Sequence, residues 1–430
     1  MTGSRNTVII GLILVVAAIL AVSVLYRAYH YPMFDVRINV EGKAHGGHTL
    51  FTFTIDDIGQ ELTEPSGIYL VDSDGKLVHR WHVMGSVQLA KLKPNGNLLY
   101  KTRDRSFKER AGLRETDPFG NIIWYYKSWA DHDFDLLPSG NILIHYIEDK
   151  PVPAIGTGDV RCPGIVEVTT GKEAVWTWRG EDHLDELTGL LGISFPLEEN
   201  PARRRDGVLD WAHSNTCRVM PENASATEDS RFRAGNILIS YPNFNTIGVI
   251  DKESGEIAWA WGPGDLDGQH NPVMMKNGNI LIFDNGTQRG YSRVIELAPL
   301  SDEIVWEYSD RGSREPGFFS GYTSGSQPLS NGNVFVCQSS CRPPNAVARF
   351  FDIFRRRVLR KKTAWSRLFE VNRSNEVVWE MVVNRSGDDN LHEVYQATRY
   401  SEAYLRPLLE ALEKARDADG RSLRSLPYVR

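Results

Sequence analysis

Short apolar runs alternating with polar positions recur along this chain at a nearly constant period, each closed by a turn. The first unit places Ile68 and Leu70 before the turn Asp72-Ser73-Asp74-Gly75, and Leu77, Val78 and Trp81 after it. Alternation on both sides of a Gly-containing turn is a hairpin signal, because glycine accepts the positive φ that tight turns demand. The unit ends in tryptophan six times, at Trp81, Trp124, Trp176, Trp259, Trp306 and Trp379. After five of the six, a Gly-Asn turn opens a further apolar strand, at Gly96-Asn97, Gly140-Asn141, Gly235-Asn236, Gly278-Asn279 and Gly332-Asn333. A unit of roughly 40 to 50 residues is the length of a four-stranded blade, and the longer gaps hold insertions. The pattern predicts an all-β fold, a six-bladed β-propeller over residues 67–400, with each tryptophan filling the wedge between neighbouring blades.

Three segments depart from the repeat. Leu405, Leu408, Leu409 and Leu412 fall at helical spacing within residues 401–430, which predicts a terminal helix and tail packed on the propeller. Residues 27–66 read as a linker and an N-terminal β-region. Before them, after a short flank at residues 1–7, Val8 to Tyr26 runs for 19 residues without a charge, between Arg5 and Arg27. That length spans a bilayer and exceeds the usual apolar region of a signal peptide, so the reading is a transmembrane anchor or uncleaved signal with the large domain exported, periplasmic or extracellular. Between the last Gly-Asn turn and Trp379, Phe350-Phe351-Asp352-Ile353-Phe354 leads into Arg355-Arg356-Arg357 and Arg360-Lys361-Lys362. This stretch reads either as a basic amphipathic helix resting on an anionic membrane or as a solvated insertion helix.

Composition narrows the classes of function. With 430 residues, 41% of them hydrophobic, the chain can bury a large core. A net charge of -6 and the lack of a long basic tail argue against nucleic acid as a partner. Of the 4 cysteines, Cys337 and Cys341 are close enough in sequence for a local disulfide in an oxidising compartment. Cys162 and Cys217 read either as a pair or as buried thiols. No cysteine pattern points to zinc, and no cofactor is expected.

Candidate chemistry lies in the segments between each tryptophan and its Gly-Asn turn, which lead into the innermost strand of a blade and so lie at one mouth of the channel. Three consecutive segments carry a histidine: His132 in Asp131-His132-Asp133, His213 in Asp210-Trp211-Ala212-His213-Ser214-Asn215, and His270 in Gln269-His270-Asn271. Gln88, Thr323 with Ser324, and His392 occupy the remaining places. Propeller packing requires no imidazole there, so the three are expected to converge on a functional site; imidazoles on a common axis can also hold a metal ion.

These motifs, with Asn277-Gly278-Asn279-Ile280-Leu281-Ile282-Phe283-Asp284-Asn285-Gly286 and Leu136-Leu137-Pro138-Ser139-Gly140-Asn141, resemble the bacterial arylsulfate sulfotransferase family from about Gly67 to Tyr400. The resemblance implies a six-bladed propeller that moves a sulfuryl group from an aryl sulfate donor to a phenolic acceptor through a covalent sulfohistidine, without a nucleotide. It assigns His270 as nucleophile, His132, His213 and Asn215 as residues around the transferred group, and Thr323 as a fifth-blade hydroxyl. The family carries an arginine in the strand after the third Gly-Asn turn, where this chain has Ile239-Ser240-Tyr241-Pro242-Asn243; Arg218 and Arg289 are the candidates to replace it. The competing reading is a noncatalytic binding propeller that retains the channel histidines. No phosphate-binding loop of the Gly-x-x-x-x-Gly-Lys-Ser/Thr type is present to support a nucleotide-dependent transferase.

Overall fold

Six sheets, antiparallel except for one parallel bridge between Val160 and Leu209, stand around a common axis in the computed structural model, which describes residues 32–55, 66–83, 86–103, 111–198, 203–205, 207–310, 317–343, 346–387 and 391–419. The innermost strands are Leu391–Tyr400, Ser86–Leu92, Ala130–Leu136, Thr216–Val219, His270–Met274 and Gly325–Pro328, for blades one to six. Each sequence unit is therefore offset by one strand from its blade, since the segment after a tryptophan opens the next sheet. The ring closes by pairing the C-terminal strand Leu391–Tyr400 with His48–Ile55, so blade one is built from both ends of the chain. Two strands within residues 27–66, the segment read from the sequence as a linker and an N-terminal β-region, enter the propeller itself. His48–Ile55 is the second strand of blade one, and Phe34–Asn39 adds an outer fifth strand to blade six.

The repeat has a physical basis at both of its turns. The turn glycines Gly96, Gly140, Gly235, Gly278 and Gly332 all take φ between 85° and 92°, a region costly for any side chain. The asparagine after the glycine points its amide at a glutamate on the adjacent strand: Asn97 to Glu115, Asn141 to Glu167, Asn279 to Glu296 and Asn333 to Glu370, at 2.6–2.7 Å. These glutamates are buried, so each bond removes a polar group from an otherwise unfavourable position.

The tryptophans act between blades. Trp124 Nε1 donates to Thr170 O (2.9 Å), Trp306 Nε1 to Arg373 O (3.3 Å) and Trp379 Nε1 to Ser73 O (2.7 Å), in each case a turn of the next blade. Blade three uses Trp178 instead of Trp176, two residues further along the same strand face, bonding Gly255 O at 2.8 Å. In blade one the ring of His79 meets Pro118 O at 3.0 Å and takes over the role expected of Trp81. Trp379 is fully buried, and its bond ties blade six to blade one where the ring closes. Trp379→Ala is therefore expected to cost about 3–5 kcal/mol, read as a lowered denaturant midpoint at unchanged m-value.

All five Gly-Asn turns lie at one end of the propeller, where the helix Glu402–Asp419 packs Leu405, Leu408 and Leu412 onto Leu92 and Leu98. Two insertions lie at the other end, the extended hairpin Ile142–Pro151 with Asp159–Val168 and the helix Ala346–Val358; the helix Leu184–Leu191 packs on the side of blade four, where Glu186 accepts the Ile257 amide.

Two expectations from the sequence meet the structure differently. The apolar segment 8–26 lies outside the described residues, and among the described residues no helix is long and apolar enough to cross a membrane. Cys337 and Cys341 are free thiols, not a disulfide. Cys337 pairs with Leu368 and packs in the core of blade six, while the Cys341 amide bonds Trp365 O and its side chain joins a separate cluster with Ala348, Trp365 and Val382. Three residues of extended strand between Leu368 and Trp365 correspond to about 10 Å, beyond the span of a disulfide. Cys162 and Cys217 are likewise free and buried.

Candidate active site

The channel opens at the insertion end into a cavity of about 370 Å³. Its wall includes Gln88, His132, His213, His270, Thr323 and His392, one residue from each of the six places picked out in the repeat. The imidazoles expected to converge do so: the rings of His132 and His213 lie 5.1 Å apart between centroids, at 72°. Backbone conformation brings them there. His132, His213, Asn271 and Thr323 all take left-handed φ (46°, 50°, 49° and 61°), a conformation that non-glycine residues adopt at a cost and that concentrates at functional sites.

His270 is fixed from both sides. Gln269 donates to Ser240 Oγ (3.0 Å) and Thr246 O (2.7 Å) in blade four, and Asn271 Oδ1 accepts the Ser326 amide (3.1 Å) from blade six. The His270 ring meets Asn285 Oδ1 at 2.8 Å and Gly268 O at 3.1 Å, both through Nδ1. Both partners are acceptors, so Nδ1 carries the proton and Nε2 carries the lone pair. The Asn285 amide is oriented in turn by donating to Ser320 O (2.7 Å) and Thr323 O (2.8 Å). Burial lowers the pKa of His270 to about 4, with His213 acting in the same direction, so the ring is neutral at physiological pH.

His213 has a carboxylate partner. Its Nδ1–H donates to Asp210 Oδ2 at 2.6 Å, and its amide reaches Asp210 Oδ1 at 3.2 Å, which leaves Nε2 as the ring atom for the cavity. Burial pushes the Asp210 carboxyl up, but the bond from His213 and the charge of Arg161 hold it below the usual range. A histidine oriented by a buried carboxylate is an arrangement suited to proton transfer at Nε2.

His132 has its Nδ1 2.7 Å from Asp131 Oδ2, although the angle falls outside hydrogen-bond geometry. Burial lowers its pKa to about 3 against the pull of Asp131, so it contributes as a neutral ring and not as a cation. Behind it, His145 Nδ1–H donates to Asp131 O at 2.9 Å. Donor atoms of Asp131, His132 and His145 lie within 4.8 Å of one another, a spacing that can hold a metal ion. The charge of Lys101 already acts on both imidazoles, which opposes a second cation there.

The depressed values set a pH dependence. Both rings have folded-state pKa values below the ordinary 6.5, so the unfolded chain takes up protons first as pH falls. Stability present above about pH 6.5 should decline down to about 4 for His270 and about 3 for His132. The thermal midpoint is expected to fall across this window, and the fall should be shallower in His132→Gln. Parallel curves for the two proteins would contradict the assignment.

The remaining expected residues take different places. Asn215 does not face the main cavity; it lines a small recess beneath it with Arg218 and Asn271, and its amide donates to Gln269 O at 3.1 Å, supporting the strand that carries His270. Thr323 lines the cavity, but its hydroxyl donates to Tyr322 O at 2.6 Å. Neither arginine proposed as a replacement lines the cavity. Arg218 is half-buried beside Asp133 (2.8 Å), in a cluster with Asp135 and Lys91. Arg289 pairs with Asp284 at 3.0 Å.

The guanidinium in the cavity belongs to Arg161, which the repeat did not pick out. It lies on the extended hairpin of blade three, opposite Asp149, and pairs with that carboxylate at 2.9 and 3.0 Å. Its sequence signal was the unusual length of the apolar run after Gly140, which carries the hairpin past the mouth. Ile147, Pro163, Tyr322 and Tyr395 give the same cavity an apolar and aromatic wall.

A six-bladed propeller with an imidazole-lined cavity at one mouth defines a class of architecture that many activities share. The family model described as Arylsulfotransferase (ASST) matches residues 36–266, more than half of the chain, and the protein belongs to that family. The match includes His132, Arg161 and His213 and ends before His270, whose position rests on the geometry above. No curated protein matches. Among solved structures, a protein of unknown function from Bacteroides caccae is 16% identical over 82% of this chain and 98% of its own, with a TM-score of 0.46. Apo AztD from Citrobacter koseri is 10% identical over 82% and 98%, with a TM-score of 0.38.

Proposed function

We propose that the protein transfers a sulfuryl group from an aryl sulfate to a phenol, with His270 as the group that carries it between them. The observation that supports this reading is the state of His270: a neutral ring, its Nδ1 proton held by two acceptors, and its Nε2 lone pair left for the cavity. In the first step Nε2 attacks sulfur, the N–S bond forms as the aryl S–O bond breaks, and protonated His213 gives its Nε2 proton to the departing phenoxide. In the second, neutral His213 takes the proton of the incoming phenol. The phenol oxygen then bonds to sulfur and the N–S pair returns to His270. One histidine serves as acid and then as base, and the bond from its Nδ1–H to Asp210 keeps Nε2 on the cavity side in both roles.

Arg161 supplies the fixed positive charge that the sulfuryl oxygens need, from a different blade than the family arrangement implied by the sequence. Its pairing with Asp149 holds the guanidinium in place before substrate arrives. The aromatic wall formed with Tyr322 and Tyr395 suits a planar donor or acceptor ring.

Incubation with an aryl sulfate whose phenol is coloured, with and without a second phenol, tests the reading. Colour release that accelerates with the second phenol, together with formation of its sulfate ester, is expected. Saturable binding of aryl sulfate without release would favour the noncatalytic binding propeller.

A further inference from the structure

The helix Ala346–Val358 presents an apolar face to the outside. It packs on blade six through Ala348, and Trp365 Nε1 donates to Asp352 Oδ1 at 3.4 Å. The opposite side carries Phe350, Ile353, Phe354 and Val358, with exposures of 62%, 48%, 39% and 59%. At 100° per residue these four fall in one stripe, with Arg357 within it and Arg349 and Arg356 along its flank. Arg360, Lys361 and Lys362 follow directly. An exposed apolar stripe bordered by cations matches the headgroup layer of an anionic bilayer, which offers both an apolar interior and negative charge.

The position of this helix gives the stripe a meaning. The strand Val334–Gln338 runs from its Gly-Asn turn toward the cavity, Ser339 lines the cavity, and the helix follows from there, so it lies at the mouth end. The first described residues enter at the same corner. Asn384 donates its side-chain amide to Pro32 O (2.8 Å) and its backbone amide to Met33 O (3.0 Å), and Asn384 pairs with Trp365, which holds Asp352 of the helix. From Tyr26, where the apolar segment of the sequence ends, to Pro32 the chain can reach at most about 20 Å. The segment long enough for a membrane span is thus tethered to the blade, and to the end of that blade, from which the apolar stripe projects.

We propose that the helix Ala346–Val358 rests in the headgroup layer of an anionic membrane and turns the cavity mouth toward the bilayer, so that the acceptor is a phenol partitioned into the lipid. The lipid contact stands on the helix and the chain entry alone; the acceptor class rests on the sulfuryl-transfer reading.

The test uses the full chain in nanodiscs of phosphatidylglycerol and phosphatidylcholine, with bimane on Ile353→Cys or, as control at the opposite end, on Ile122→Cys, both in a Cys341→Ser background. Brominated lipid is expected to quench the label at position 353 and not at 122. Replacing Arg349, Arg356 and Arg357 together with glutamate should abolish the quenching at 353. Quenching at 122 instead, or at neither position, would overturn the proposal, as would a Phe354→Glu-sensitive dimer in lipid-free detergent, which would assign the stripe to a second copy. The same triple variant should lower kcat/KM for a bilayer-partitioned phenol about tenfold relative to a water-soluble one; an unchanged ratio would overturn the acceptor class. If no phenol is sulfated at all, the transfer reading fails while the quenching result stands independently.

Discussion

His270→Ala should lower sulfuryl transfer by about 10⁴-fold or more, because removal of a nucleophile removes the covalent route and leaves only binding and electrostatic assistance. The substitution also leaves Asn285 Oδ1 and Gly268 O without the Nδ1 donor, so some loss of stability is expected alongside the loss of rate. His270→Asn separates the two effects. A shorter amide can donate toward the same acceptors while offering no ring nitrogen to sulfur, so it should unfold close to the parent and still fail to turn over. Steady-state rates with an aryl sulfate and a phenol, set beside thermal midpoints, check both variants. Transfer near the parental rate in His270→Ala would remove the nucleophile assignment while leaving the propeller untouched.

Asp210→Asn is expected to have the second largest effect, a loss of about 10³-fold in kcat with a smaller change in KM. The carboxylate accepts two bonds from His213, one from the ring and one from the backbone, and the shorter, at 2.6 Å, selects the ring form with Nε2 facing the cavity. An amide there can present NH₂ to Nδ1, which favours the other tautomer and withdraws the charge that stabilises protonated His213. Because the asparagine variant keeps the volume of the site, the loss should appear in the rate and in its pH profile. Donors with poor leaving groups should suffer most, since they depend most on protonation of the phenoxide. An equal loss for good and poor leaving groups would argue that Asp210 only shapes the loop.

The blade repeat was readable from the sequence because its causes are local. A glycine at positive φ, an asparagine that reaches a glutamate on the neighbouring strand, and a tryptophan that bonds the next turn each leave one residue type at one spacing. The convergence of His132, His213 and His270 followed from the same periodicity. What the repeat could not carry were pairings set by insertions. Arg161 enters the cavity because one hairpin overruns its blade, and Asp149 opposite holds it there; neither sits at a repeat position. The roles of Asn285 behind His270 and of Asp210 behind His213 depend on side-chain direction across strands, which spacing does not encode. Short sequence separation also misled at Cys337 and Cys341, where an extended chain carries two thiols apart instead of together. Asn215 was close to the site in sequence, yet past the left-handed residue His213 its side chain bonds the backbone of Gln269 instead of facing the main cavity.

Transfer through His270 can be caught by quenching the protein with an aryl sulfate in the absence of acceptor and analysing its peptides by mass spectrometry under conditions that spare acid-labile N–S bonds. A sulfuryl adduct is expected on the peptide containing Gln269-His270-Asn271, lost on addition of a phenol and absent in His270→Asn. An enzyme that turns over with the adduct on His132 or His213, or with no adduct on any histidine, would contradict it.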